Sequence, residues 1–215
     1  MNTTTRWWWI RHGPVDSQGI IYGQQDLHAD TSDQRTFQAL AAQIPSDAVW
    51  LTSHLTRTKQ TAQAIHDERA ELVPKDGMAV ERRFAEQHFG HWQGRGYAEL
   101  AEERGDAWHR FWLAPAHEVP PGGESFAQLV ERVGEGIAEM NQRHGDRDLV
   151  VVAHGGTIRA AIAHALGLDP ERALAFTIDT CSLTRLDHIA GPAGSHDTET
   201  DGAGVWRIVA LNRVF

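Results

Sequence analysis

A single cysteine, Cys181, serves all 215 residues. No intrachain disulfide can form, and nothing asks for an oxidising compartment, so a cytoplasmic protein is the expectation. No apolar run reaches the roughly 18 to 20 residues that cross a bilayer. The N-terminus lacks a basic stretch followed by an apolar segment and a small-residue cleavage site, so no leader is expected. Also missing are C-x-x-C, H-E-x-x-H and an acidic calcium loop. His88 and His91 stand three apart and could share a helix face, but a third ligand is lacking. No metal and no cofactor are therefore expected. Positive charge is in deficit, 20 Lys and Arg against 29 Asp and Glu, for a net charge of −9. Such a surface repels nucleic acid, and neither a nucleic-acid nor a membrane partner is expected. A small anion remains a fitting ligand if arginines gather in one cleft. There is no internal repeat and no low-complexity tract, and the length suits one domain over 1–215 with an inserted cap.

What is present is a doubled pattern. WWWIRHG at 7–13 and VVVAHGG at 150–156 are both apolar runs that end in a histidine followed by glycine. An apolar run bounded by glycine fits a buried strand of a parallel sheet. Strands are expected at 7–10, 48–52, 79–81 and 148–153, with a terminal pair at 182–187 and 205–212 joined by a Gly- and Asp-rich hairpin loop, 189–204, read as mobile. Helices are expected from Thr31 to Ile44 with a Thr31 or Ser32 cap, and from Thr58 to Arg69. Others should run from Tyr97 to Trp112, from a Ser125 cap to Arg143, and from Thr157 to Leu166 with a stop at Gly167. Residues 86–121, rich in Trp, His, Gly and Pro, break the alternation and are expected to form the cap. Strands alternating with helices predict an α/β fold: a three-layer αβα sandwich with a mostly parallel central sheet and a small inserted helical cap.

In such sheets ligands bind beyond the carboxyl ends of the strands. Arg11, His12, Ser53 to Arg57 and His154 all fall at expected strand ends. A histidine in a positive field stays neutral, and neutral imidazole is a nucleophile. Gly13 leaves room for close approach to the backbone. Arg11 and Arg57 can each hold phosphate oxygens in a fork, and His154 can add a donor. Phosphoryl transfer asks for alignment and positive charge, plus an acid for the leaving alcohol. Glu86 and Glu124 are the candidates for that acid. A lone His-Gly after a strand is most simply a turn, Arg57 alone a solvated helix residue, and Trp108, Phe111 and Trp112 core residues; two matched sites with arginines tip the balance towards chemistry.

Five ordered blocks resemble the histidine phosphatase superfamily, also called the phosphoglycerate mutase-like family. IRHG at 10–13 is similar to its signature, which implies His12 as the phosphate-accepting residue. TSHLTRTKQTA at 52–62 implies Arg57 as a phosphate ligand. FAEQHFGHWQG at 84–94 implies Glu86 as proton donor. GGES at 122–125 and VVAHGGTIR at 151–159 resemble the last two blocks, which implies His154 as the second pocket histidine. The last block and GLDPERALAFTIDTCSLTRL resemble the branch holding the α-ribazole phosphatases. Two departures stand out: Pro14, Val15 and Asp16 follow RHG where the family's mutases carry Glu-Ser and an asparagine, and Gln93 replaces the usual Glu of W-E-G.

The reading is thus a metal-independent phosphomonoesterase for a small phosphorylated metabolite. His12 is the nucleophile and Glu86 the acid. Arg11, Arg57, His154 and the Gly155 N–H bind the phosphoryl oxygens. Glu124 is expected to orient an arginine or His154 from behind. A phosphomutase and a non-catalytic phospho-ligand-binding module are the rivals. The oligomeric state stays open; the sheet edge or the terminal hairpin could pair two chains as a homodimer.

Overall fold

A computed structural model describes residues 3–75, 77–191 and 204–215. One six-stranded sheet runs through it, in the order β3-β2-β4-β1-β5-β6. The strands are β1 (Thr4–Arg11), β2 (Val49–Thr52), β3 (Ala79–Val80), β4 (Asp148–Ala153), β5 (Leu183–Ile189) and β6 (Val205–Arg213). β3, β2, β4 and β1 are parallel; β5 and β6 are antiparallel additions at one side. The helices are α1 (Gln34–Ala41), α2 (Thr56–Glu68), α3 (Tyr97–Arg104), α4 (Phe126–Arg143), α5 (Gly155–Leu166) and the short α6 (Pro170–Ala173). Two apolar clusters flank the sheet. One holds Phe126, Leu129, Val133 and Ile137 of α4 against Trp7, Trp9 and Val151; the other holds Phe37, Leu40 and Ile65 against Ile10, Trp50 and Val152. This is the three-layer α/β sandwich that the alternation of elements predicts.

The sheet register positions the site. Arg11 lies opposite Ala153, and Thr52 opposite Val152. The carboxyl ends of β1, β2 and β4 therefore finish level, and the next residue of each chain segment, His12, Ser53 and His154, falls on one rim. The triple tryptophan sets how β1 sits. Trp7 and Trp9 point to one face and stack at 5.3 Å, with Phe84 edge-on to both. Trp8 takes the other face, under the Arg185 guanidinium. Because Phe84 is two residues before Glu86, this aromatic triad anchors the loop that carries the acid. Phe84→Ala would cost about 3–5 kcal/mol of stability.

Several element ends differ from the sequence expectations. α1 begins at Gln34 because Asp33, not Thr31 or Ser32, accepts from the Thr36 N–H. α2 begins two residues earlier than expected, at Thr56, whose N–H and hydroxyl both donate to Asp26 from a distant loop. α5 takes in both glycines and starts at Gly155, not Thr157. The expected helix to Trp112 stops at Arg104, because Gly105 turns the chain with φ of 51°. Ser125 does cap α4, in a capping box with Gln128. α6, with Asp169 as cap and Pro170 at its first position, has no counterpart among the expectations. β1 and β5 run longer than expected. Most of the 189–204 loop lies outside the described residues. Residues from Ile21 and from the Phe89–Ala114 stretch make a third, small apolar cluster with Trp92 and Leu100 at its centre. Among the described residues no helix is long and apolar enough to cross a membrane.

Candidate active site

His12 is 1% exposed and its ring is fixed by its own neighbour. Nδ1 lies 2.7 Å from the Gly13 carbonyl oxygen. A carbonyl only accepts, so Nδ1 carries the proton and Nε2 carries the lone pair. Burial first, then the Arg57 and Arg11 guanidiniums, push the imidazole pKa well below its ordinary value. At neutral pH His12 is therefore uncharged with Nε2 basic, the form a nucleophile needs. Gly13 allows this arrangement: a Cβ there would come within 2.8 Å of the Asp30 carbonyl oxygen.

Arg57 is fully buried at the start of α2, and backbone carbonyls hold its fork. Nη1 donates to Gln25 O at 2.8 Å and Nη2 to Gly23 O at 2.6 Å, while Nε donates to His154 Nδ1 at 3.2 Å. The 23–25 loop is held in turn by Gln93, whose Oε1 accepts from the Gln24 N–H. A glutamine serves at that position as a neutral acceptor, which accounts for the departure noted in the sequence. Arg11 donates Nη1 to the Ile178 carbonyl at 2.6 Å, and its buried Nε has no hydrogen-bond partner among the described residues. That free N–H borders Gly155: a Cβ added there would lie 3.5 Å from it. Gly155 itself opens α5, where backbone N–H groups lack intrahelical partners.

His154 stands beside His12, ring centroids 5.2 Å apart. Its nitrogens are both engaged. Nδ1 accepts from Arg57, so the proton is on Nε2, which donates to Ser53 Oγ at 2.9 Å. The expected donation from His154 to a phosphoryl oxygen is thus not present in this arrangement; the ring instead positions Arg57. Burial, with Arg57 the next cause, pushes its pKa well down, so it too is neutral.

Glu86 follows the turn that Phe84 anchors and is 8% exposed. Its Oε1 accepts from the Gln87 N–H at 2.9 Å and its Oε2 from the Gly156 N–H at 3.2 Å. A side chain at Gly156 would run into this carboxylate, so the second glycine of the HGG block is a requirement of Glu86. Glu124 lies behind. It pairs with Arg132 of α4 at 2.6 Å, and Arg132 donates to the carbonyls of Arg83, Ala85 and Glu86. The arginine expected to be oriented by Glu124 is therefore Arg132, and His154 is not its partner. Gln87 completes the frame by bonding the Glu124 carbonyl and accepting from Trp112 Nε1. Sequence reasoning missed Arg132 and Gln87: Arg132 pairs with Glu124 eight residues away and with backbone carbonyls, Gln87 bonds neutral groups, and neither carries a spacing signature.

Beside these groups opens a cavity of about 320 Å³, with Arg11, Glu86 and Gly155 at one end and Tyr22, Trp108 and Trp112 along its walls. Among the described residues no cluster of three or more His, Cys, Asp or Glu converges as metal ligands would.

Comparison with known proteins gives a consistent result. The family model of the histidine phosphatase superfamily (branch 1) matches residues 7–194. The adenosylcobalamin/alpha-ribazole phosphatase of Escherichia coli is 27% identical over 195 residues, 85% of this chain and 89% of that protein. The glucosyl-3-phosphoglycerate phosphatase of Mycolicibacterium vanbaalenii is 31% identical over 170 residues, 74% of this chain and 73% of that one. Among solved structures, one described as mycobacterial hydrolase 2 superposes with a TM-score of 0.81 at 26% identity, covering 99% of this chain and 92% of its own. With His12, Arg57 and His154 gathered at the rim of the sheet and the family model spanning nearly its whole length, this chain belongs to branch 1 of the histidine phosphatase superfamily.

Proposed function

We propose that this chain is a metal-independent phosphomonoesterase that hydrolyses a small phosphorylated metabolite through a phosphohistidine on His12. The observation that carries this reading is the His12 tautomer: Nδ1–H is held by the Gly13 carbonyl, leaving the Nε2 lone pair at the rim between two arginines. In the first step Nε2 attacks phosphorus, the bond from phosphorus to the ester oxygen breaks, and the Glu86 carboxylic acid gives its proton to the departing oxygen. In the second, the Glu86 carboxylate takes a proton from water as that water attacks the phosphohistidine, releasing inorganic phosphate and neutral His12. Arg11, Arg57 and the Gly155 N–H bind the phosphoryl oxygens, whose charge grows in the transition state. His154 serves through Arg57, and a turn of its ring away from Ser53 would free an N–H for the phosphoryl group. Residues 86–121 act as the cap that brings the acid and the aromatic walls to the leaving group.

The phosphatase names of the relatives support hydrolysis as the reaction class. A binding module has no use for an acid held by two backbone N–H groups and an arginine frame. A cytoplasmic setting belongs to the same proposal: the Cys181 thiol is buried and pushed up to about 11, so it asks for no oxidising partner. The test is turnover of p-nitrophenyl phosphate together with rapid quenching on radiolabelled substrate. An acid-labile, base-stable phosphoenzyme that is absent from His12→Ala is the expected result. Adding 3-phosphoglycerate distinguishes a mutase, which would return the group to a second hydroxyl.

A further inference from the structure

The cavity beside His12 holds more positive charge than a phosphoryl group can use. Arg11 and Arg57 match the two charges of a phosphate monoester dianion. His12 and His154 are neutral. Glu86, the only acid among the described residues that line the cavity, is uncharged when it is ready to protonate a leaving group. Two guanidiniums are left over, those of Arg110 and Arg159; Arg110 is exposed and stands 6.0 Å from the Phe111 ring centre, so Arg159 is the one held inside.

Arg159 lies one turn into α5, four residues after Gly155, and so presents to the same side of the helix. Its Nε donates to the Phe176 carbonyl at 2.6 Å, and its guanidinium lies over the Trp112 ring at 4.6 Å. Trp112 is itself tied to Gln87. Both faces of this contact are therefore fixed, and the guanidinium is held in one orientation rather than left to swing into solvent. Its Nη groups have no hydrogen-bond partner among the described residues. A Cβ at Gly155 would meet Arg159 Nη1 and Arg11 Nε at the same 3.5 Å, so the two cations flank the place where the ester enters. Burial pushes the Arg159 pKa down to about 10, with the Glu86 carboxylate acting in the other direction. It remains a cation at neutral pH, and it is held where water is scarce. A mostly buried cation without an anion is costly unless a ligand supplies one. The lining is rich in rings, with Tyr22, Phe89, Tyr97, Trp108 and Phe111 all bordering the cavity. Flat apolar groups pack well on such walls.

Resting on the phosphatase reading, we propose that Arg159 is a specificity-determining residue that receives a carboxylate on the leaving alcohol, so that preferred substrates are phosphate monoesters whose alcohol joins one carboxylate to a flat apolar body. Among the described residues that line the cavity, no carboxylate competes for this role once Glu86 is protonated. The same arginine would repel an alcohol bearing an ammonium group.

Three probes differing in one substituent test this: 3-carboxyphenyl phosphate, its methyl ester, and 3-(aminomethyl)phenyl phosphate. The methyl ester has the slightly better leaving group, so intrinsic reactivity opposes the expected preference. The wild-type enzyme should show kcat/KM in the order carboxylate, ester, ammonium, with the carboxylate at least about tenfold above the ester, a difference one charge-assisted hydrogen-bond pair can supply. In Arg159→Gln that ratio should fall close to one, and Arg159→Lys should keep part of it. A wild-type ratio of one or below overturns the proposal, whether or not Arg159→Gln folds. So does a ratio that Arg159→Gln leaves unchanged while both rates drop together, since that marks Arg159 as a ligand of the transferred phosphoryl group. If none of the three esters is hydrolysed, the phosphomonoesterase reading fails instead.

Discussion

The two ends of the site are built by opposite means. At the phosphoryl end, His12, Arg57 and His154 are almost wholly buried, and each follows a strand end or begins a helix. Apart from His12 Nε2, their ring and guanidinium nitrogens are engaged by carbonyls, a serine hydroxyl and one another. At the leaving-group end, Arg159 keeps its Nη groups open, Phe111 is 51% exposed, and the walls come mostly from the stretch after Glu86, with Tyr22 added from the loop after β1. The first end can take one shape, and it fits the group common to every phosphate ester. The second can be rebuilt residue by residue without touching the sheet. Chemistry is thus assigned to the rigid layer and selectivity to the adaptable one.

The largest effect should come from the rigid end. His12→Ala should lower turnover of p-nitrophenyl phosphate by at least about 10³-fold, because the covalent route is lost. The fold should be retained, with a circular dichroism spectrum like that of the wild type. Retention of more than about a tenth of the activity would move the nucleophile elsewhere. Glu86→Gln comes next and joins the two ends. It should cost about 10²-fold or more on an alkyl phosphate, whose alkoxide must be protonated, and far less on p-nitrophenyl phosphate. Should Glu124→Gln show that selective loss and Glu86→Gln not, the roles of the two carboxylates are exchanged. Arg132→Met probes the frame behind the acid. We expect a fall of about tenfold in kcat with KM little changed and with the same preference for good leaving groups as Glu86→Gln, because the acid is displaced but not removed. An equal loss on both leaving groups would mean that Arg132 only stabilises the fold.

How much of this division was readable in the chain follows the same line. β1 and β4 were legible because their apolar runs are unbroken and each ends in His-Gly. The level finish of the strands, which brings His12 and His154 together, follows from the parallel order that the alternation implies. α5 starts earlier than expected because glycine is a weak helix former, and here Gly156 is inside the helix to give Glu86 room while Gly155 borders Arg11 and Arg159. The helix expected through Trp112 stops at Arg104 because Gly105 turns the chain, and Trp108 and Trp112 beyond it line the cavity instead of forming a helix stripe. The engaged nitrogens of His154 were not legible at all, since Ser53 and Arg57 meet it only through the sheet register.

A pH experiment sharpens the contrast further. His12, His54, His66, His144, His154 and His164 all have pKa values lowered chiefly by burial. Below about pH 6.5 the unfolded chain takes up protons at these positions while the folded one resists, so stability should decline as pH falls through that region. Thermal melts at pH 7.5 and 5.5 would check it, and a flat profile would contradict the depressed values. Turnover should not fall with a midpoint at the ordinary histidine pKa, since His12 stays neutral below it. The smallest effect is expected from a chelator. In the proposed reaction Arg11 and Arg57 supply the charge that phosphoryl transfer needs, so EDTA should change the rate by less than about twofold. Loss restored by a divalent ion would refute the metal-free route.

The hydrogen bond from His12 Nδ1 to the Gly13 carbonyl has a consequence for variation. Enzymes that tune an imidazole with an aspartate can be detuned by replacing that aspartate. Here the tuning group is a peptide oxygen of the adjoining residue, 2.7 Å away, which every amino acid possesses. Replacing another residue's side chain cannot delete it; only a Cβ at Gly13, which would come within 2.8 Å of the Asp30 carbonyl oxygen, puts it at risk. The tautomer of His12 is thus set by the chain trace, so in the proposed reaction drift in sequence elsewhere would alter what this pocket accepts long before it altered which nitrogen attacks.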